Sequence, residues 1–130
     1  MKDIISVIEG KDKVYKLKGA DIKSIENAQK ELDVTFSADY TKYVETFGAI
    51  SYYRHELTGV CSVKTLNVVN VTNNQREIDS DVSAGWYVIE QTHYDDIAIW
   101  QAKDGKIYSK APGIKAKEIA DSLGEYIEKY

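Results

Sequence analysis

The stretch from residue 26 to residue 59 restricts the possible folds more than any other part of the chain. It carries Glu26, Leu32, a Phe36-Ser37-Ala38-Asp39-Tyr40 run, then Tyr43, Val44, Phe47-Gly48-Ala49-Ile50 and Leu57-Thr58-Gly59. Leading into it, Ile22, Ile25, Ala28 and Leu32 recur on one face of a helix predicted from Asp21 to Leu32. Asp21 is placed to cap the first free N–H groups and suits the positive end of the helix dipole. A break at Asp33-Val34-Thr35 follows, and Ser37 is the next N-cap. Tyr40, Tyr43, Val44 and Phe47 then fall at i, i+3, i+4, i+7, a single apolar stripe. Gly48 ends that helix, because the residue after a helix often needs the left-handed conformation. The two stripes predict a helical hairpin. These residues are framework, and none is reactive.

The remainder reads less evenly. Residues 1–20 alternate Lys and apolar side chains loosely, and a short strand or a mobile lead-in both fit. Leu57, Val60, Val63 and Leu66 suggest a strand over 57–66. In 67–78 the β-branched Val68, Val69 and Val71 favour strand, while Asn70, Asn73, Asn74 and Gln75 favour neither state. Ser83-Ala84-Gly85 is a turn. Trp86-Tyr87-Val88-Ile89 is a continuous apolar run, as in a strand covered on both faces. Asp96 to Gln101 predicts a strand with Ile97 and Ile99 on one side, Ala98 and Trp100 on the other. Lys103-Asp104-Gly105-Lys106 signals a hairpin with a type I′ turn, and Ile107-Tyr108 is its return strand. Ala111-Pro112-Gly113 breaks that strand. A last helix is predicted from Ala116 to about Lys129, with Ala116, Ile119, Ala120, Leu123 and Ile127 inward. Hairpin-joined strands with helices grouped at the ends predict an α+β fold: one mostly antiparallel sheet with helices packed at the N- and C-terminal ends.

At 130 residues the chain is one domain's worth, residues 1–130. Burial of roughly two-thirds of the unfolded surface lets one core hold it. No run approaches the roughly 20 apolar residues of a membrane span. The start, Met1-Lys2-Asp3-Ile4, lacks the features of a signal peptide. Cys61 is the single cysteine, so no internal disulfide can form. A cytoplasmic location is the expectation. Charge is unevenly placed. Between residues 77 and 104, Glu77, Asp79, Asp81, Glu90, Asp95, Asp96 and Asp104 face Lys103 alone. That segment is −6 and the remainder +2, for a net charge of −4. An acidic segment repels nucleic acid and attracts basic partners.

Reactive constellations are sparse. His93-Tyr94-Asp95-Asp96 could supply a general base or half a metal site, but a polar turn between strands explains it better. His55 is distant in sequence, and no second Cys or spaced His completes a ligand set. Cys61 has no helix N-terminus to lower its pKa and reads as a packed or half-packed thiol. No glycine-rich phosphate loop exists. The expectation is therefore no catalytic residues, no cofactor and no metal. Tyr52-Tyr53-Arg54-His55-Glu56 mixes the aromatics and arginine that anchor interfaces, and ordinary loop packing fits it equally. Tyr40, Tyr43 and Tyr87 read as core, whereas Tyr94 and Tyr52 read as interface.

The order and spacing of several blocks resemble the SUKH superfamily, the Smi and Knr type of small domain. They are Ile25-Glu26 to Leu32 with Val34-Thr35-Phe36, Ala38-Asp39-Tyr40 to Phe47-Gly48, Leu57-Thr58-Gly59, and Val68-Val69 with Thr72 and Arg76. Gly85 to Glu90 and Ile119-Ala120-Asp121-Ser122-Leu123 complete the set. Ser37 stands where that type usually has proline, and Ile97 to Gln101 lacks its common Leu-Asp pair. The resemblance implies a helix over 67–78. It also implies a bacterial immunity protein (an antitoxin) that neutralises a cognate contact-dependent toxin, first of all a basic nuclease domain. The alternative it implies is a non-catalytic regulatory or scaffold domain. The partner is then a protein, without nucleic acid or membrane, and the chain itself a monomer or weak homodimer. Candidate toxin contacts are Tyr52, Arg54, Glu77, Asp79, Asp81, Tyr94, Asp95 and Asp96.

Overall fold

A computed structural model describes residues 3–130. Helix α1 (Ile4–Glu9) leads into a short strand β1 (Tyr15–Lys16), then α2 (Ile22–Leu32) and α3 (Ala38–Phe47). Strands β2 (Ile50–Tyr52) and β3 (His55–Glu56) form a hairpin, followed by α4 (Val68–Ile78). Strands β4 (Tyr87–Gln91), β5 (Ala98–Gln101), β6 (Ile107–Lys110) and β7 (Lys117–Ala120) come next, and α5 (Leu123–Lys129) closes the chain. The α+β class is as expected. The single sheet is not: the strands divide into a three-stranded sheet, β1-β2-β3, and a four-stranded sheet, β4-β5-β6-β7, both antiparallel. One isolated bridge, Leu57 to Glu90, and the Thr58 N–H donating to the Ile89 carbonyl (2.8 Å) join them.

Local chemistry accounts for the helical hairpin. The Asp21 carboxylate accepts from the Ser24 N–H, which holds that carboxyl below its ordinary range. The Ser37 hydroxyl accepts from the Tyr40 N–H at 3.2 Å. Tyr40, Tyr43, Val44 and Phe47 are all buried, as are Ile25, Ala28 and Leu32, while Ile22 is exposed. Gly48 ends α3 at φ 71°, where a β-carbon would strike the Lys18 carbonyl. Gly59 lies against that same turn: a β-carbon there would collide with the Gly48 backbone, and Val60 N–H donates to the Gly48 carbonyl.

Several sequence expectations need correction. Residues 57–66 form no strand but a turn-rich crossing, since the Leu57 and Thr58 backbone is taken up closing the β4 edge. The opening residues hold a short strand, β1, as one of the two readings has it, but an unexpected helix precedes it, with Ile4, Val7 and Ile8 buried against the main core. The expected helix from Ala116 begins only at Leu123, capped by the Ser122 hydroxyl, because Lys117–Ala120 pairs with β6 instead. The Lys103–Lys106 hairpin forms, but with a different turn. Gly105 (φ 98°) has left-handed φ and Asp104 does not, and Gly105 N–H donates to the Ala102 carbonyl.

The large sheet has two unlike faces. Tyr87, Ile89, Ile99 and Ile107 point into the main core with α1, α2, α3 and α5. Val88, Ala98 and Trp100 point the other way and pack with Val71 of α4. Ile99 and the Ala98/Trp100 pair thus separate as the alternation predicts. An irregularity between Val88 and Glu90 breaks the alternation and turns Glu90 inward beside Ile99.

Candidate functional site

The acidic segment does not present itself as one patch. Asp79 is only 3% exposed, and its carboxylate accepts from the Lys110 ammonium at 2.7 Å, an ion pair sealed on both sides. Asp79 also accepts from the Asp81 N–H, fixing the exit from α4. It is therefore not a surface contact: β6 carries Lys110 on the same sheet face as Ala98, directly beneath the end of α4. Glu90 is buried as well. Glu77, Asp81, Asp95, Asp96 and Asp104 remain exposed.

Tyr52 is the second correction. It is 4% exposed, its ring stacked on His55 at 5.0 Å, because strand alternation turns it inward while Tyr53 and Arg54 occupy the turn. Its hydroxyl finds no hydrogen-bond partner among the described residues, and burial, then Glu90, push its pKa well up. Arg54 is exposed at φ 65°, with its guanidinium 5.5 Å from the Tyr53 ring centroid. Tyr53 at 78% is the exposed aromatic of this hairpin.

The 92–97 loop is the polar turn anticipated between two strands. His93, Asp95 and Asp96 all have left-handed φ (58°, 52° and 57°), a conformation that Asp and His tolerate better than most residues. The Thr92 hydroxyl accepts from the Tyr94 N–H and lies 2.8 Å from the Ile97 carbonyl, to which it donates. Gln75 of α4 donates to the Asp96 carbonyl at 3.0 Å and accepts from Gln91 at 3.1 Å. Helix and loop are thereby fixed to one another. Tyr94 stands out from the loop at 68% exposure. The antiparallel Leu57–Glu90 bridge places the Tyr53-Arg54 turn and this loop at the same end of the joined sheets.

Sequence reading missed a buried cluster around Glu90. Its carboxylate accepts from the Glu56 N–H (3.1 Å) and the Tyr126 hydroxyl (2.6 Å), and lies 2.9 Å from His55 Nδ1. Burial first, and this carboxylate second, drive the Tyr126 hydroxyl far above its ordinary range. Positions 55, 90 and 126 are too far apart in the chain to signal one another. The group ties both sheets to α5. An open cleft of about 700 Å³ borders it, lined by Lys13, Tyr15, Tyr53, Arg54 and His55 among others.

Thr72 and Arg76 have structural duties. The Thr72 hydroxyl accepts from Val88 N–H on β4 (3.0 Å), and Arg76 donates to the Leu32 carbonyl at the end of α2 (3.0 Å). Cys61 is half-buried beside a cleft of about 790 Å³ between α2 and the 60–63 turn, and burial pushes its thiol up. Such a thiol is a poor nucleophile. Among the described residues no three His, Cys, Asp or Glu side chains are grouped to hold a metal ion. No described helix is long and apolar enough to cross a membrane.

No curated protein matches the chain. Among solved structures, the crystal structure of a protein from Pseudomonas syringae pv. tomato shares the fold. It has a TM-score of 0.76 at 13% identity, over 96% of this chain and 92% of that one. The family model described as SMI1-KNR4 cell-wall (SUKH_5) matches residues 1–130. With the helical hairpin, the Gly48–Gly59 contact and the Thr72 and Arg76 bonds all in place, the chain belongs to the SMI1-KNR4 family of SUKH domains.

Proposed function

We propose that this domain is an immunity-type inhibitor: it binds a cognate protein toxin, catalyses nothing, and works in the cytoplasm of a bacterium. One observation carries the reading. Glu77, Asp81, Asp95, Asp96 and Asp104 stay exposed, while Lys103 is the one base in their segment. Membership of the SMI1-KNR4 family is consistent with it. A surface of that sign attracts a basic partner at long range and speeds encounter. Nuclease toxins, whose substrate clefts must be basic, fit that chemistry best.

Co-expression with the product of the neighbouring open reading frame tests the proposal. Growth rescue and copurification are the expected results, and toxicity undiminished by this chain is the result that sinks it. The charge mechanism has its own test. Asp81→Asn, Asp95→Asn and Asp96→Asn together slow association and flatten its dependence on salt. Association that is unchanged in rate and salt slope removes the electrostatic part.

A further inference from the structure

The outward face of α4 breaks a local rule. Asn70, Asn73, Asn74 and Glu77 are exposed at i, i+3, i+4, i+7, while Val68, Val71, Thr72 and Gln75 are buried behind them. Asparagine is a poor residue for a helix interior, because its side chain competes for backbone hydrogen bonds. The one capping role on this helix already belongs to Asn67, whose side chain accepts from the Val69 and Asn70 N–H groups. Asn73 and Asn74 make no side-chain hydrogen bond among the described residues. Positions that oppose local propensity without a packing return are where function is expected.

This stripe lies beside the 92–97 loop, held to α4 through Gln75 and Gln91. Two open grooves of about 570 and about 430 Å³ meet at Gln91 and His93. Amides line the first, with Lys64 at its rim. The second contains Asp95 and Asp96 and is bordered by Ile78, an apolar side chain left 48% exposed. Glu77, Asp95 and Asp96 outnumber Lys64, so the surface has the wrong sign for a nucleic acid. Its amides can both donate to and accept from a protein.

Resting on the immunity reading, we infer that the outer face of α4 and the 92–97 loop form one docking surface. It accepts a lysine- or arginine-bearing segment of the toxin. Tyr94 and Ile78 are its apolar anchors, the three asparagines its adaptable hydrogen-bonding groups. Because the loop is already fixed, little conformational freedom is lost on binding.

Titration calorimetry with the purified product of the neighbouring open reading frame, alongside thermal melts, tests this. Asn73→Ala with Asn74→Ala replaces poor helix formers by the best one. The fold is therefore expected to melt higher while binding weakens by at least about tenfold, a loss that unfolding cannot explain. Tyr15→Ser with Tyr53→Ser, on the small sheet, leaves binding unchanged. A higher melting temperature with undiminished affinity makes the stripe a solvated face and overturns the inference, leaving the immunity reading intact. So does a loss confined to the Tyr15/Tyr53 variant. Self-association of the wild type that the Asn variant abolishes, with toxin binding untouched, assigns the face to a second copy instead. Failure of the wild type to bind the toxin removes both readings.

Discussion

The molecule treats the same side chains in opposite ways in two places. Around the α3 hairpin, polar atoms are buried and matched. Tyr43 donates to the Thr58 carbonyl (2.7 Å) and accepts from the Ile50 N–H (3.0 Å). The Thr58 hydroxyl donates to the Val88 carbonyl (2.7 Å) and sits 2.8 Å from the Tyr40 hydroxyl. Tyr87 accepts from the Ser37 N–H (2.8 Å) and donates to Gln101 (2.9 Å). In the 92–97 loop, by contrast, Tyr94, Asp95 and Asp96 point into solvent. Residue type therefore says little about role here. What separates framework from surface is whether a second element closes over the side chain.

The harshest way to break the inner set is alkali. Burial raises the hydroxyl pKa of Tyr40, Tyr43, Tyr52, Tyr87 and Tyr126 above the ordinary value. A folded pKa above the unfolded one means the native state holds its proton more tightly. The resulting stability is fully present below about pH 10, the unfolded value, and drains away as pH rises further. Tyrosinate absorbance from these five hydroxyls is thus expected only together with the loss of circular dichroism. Their ionisation in a chain that keeps its native circular dichroism would contradict the buried network.

Removing one partner of the Lys110–Asp79 pair comes next. Lys110→Ala leaves an uncompensated carboxylate inside and is expected to cost about 3–5 kcal/mol in urea denaturation. The double change Lys110→Met with Asp79→Leu recovers most of that loss, since matched apolar side chains often replace a buried pair without penalty. A small effect for the single variant would place Asp79 back at the surface.

Two tyrosines sharpen the contrast further. Tyr43→Phe strands the Thr58 carbonyl and the Ile50 N–H and is expected to destabilise by about 1–3 kcal/mol. Tyr52→Phe removes a hydroxyl with no partner among the described residues, and stability should hold or rise. Equal losses for the two would erase the distinction. Least of all, Asp95→Asn with Asp96→Asn should move the melting midpoint by no more than about 0.5 kcal/mol equivalent, confining its effect to partner binding.

Much of the framework was legible because its signals are local. Asp21, Ser37 and Gly48 act within one helical turn of themselves, and the stripes of α2 and α3 need only periodicity. The exceptions arise where a distant strand overrules propensity. Lys117-Glu118-Ile119-Ala120 contains good helix formers, yet β6 offers it a ladder. Ile4-Ile5-Ser6-Val7-Ile8 is rich in β-branched residues, yet α3 and α5 give it a helical berth. For the candidate surface, exposure was the illegible quantity. Nothing near Asp79 in sequence announces Lys110, 31 residues on, and nothing at Tyr52 announces His55 stacked beneath it. Tyr94, Asp95 and Asp96 were legible because a short polar loop between two apolar strands has few places to go.

The narrow join between the two sheets has a kinetic consequence. Among the described residues, the bridge at Leu57–Glu90, the N–H and hydroxyl of Thr58, and the Glu90 carboxylate are the hydrogen-bonded links across it. The small sheet can therefore open as a unit while the large sheet stays closed. Amide hydrogen exchange should report this as a separate cooperative group: β1, β2 and β3 exchange through a low-energy opening, well before β5 and β6. The Glu90 carboxylate is the latch on that group, so its removal should merge slow and fast amides on the small sheet before it shifts the global unfolding midpoint.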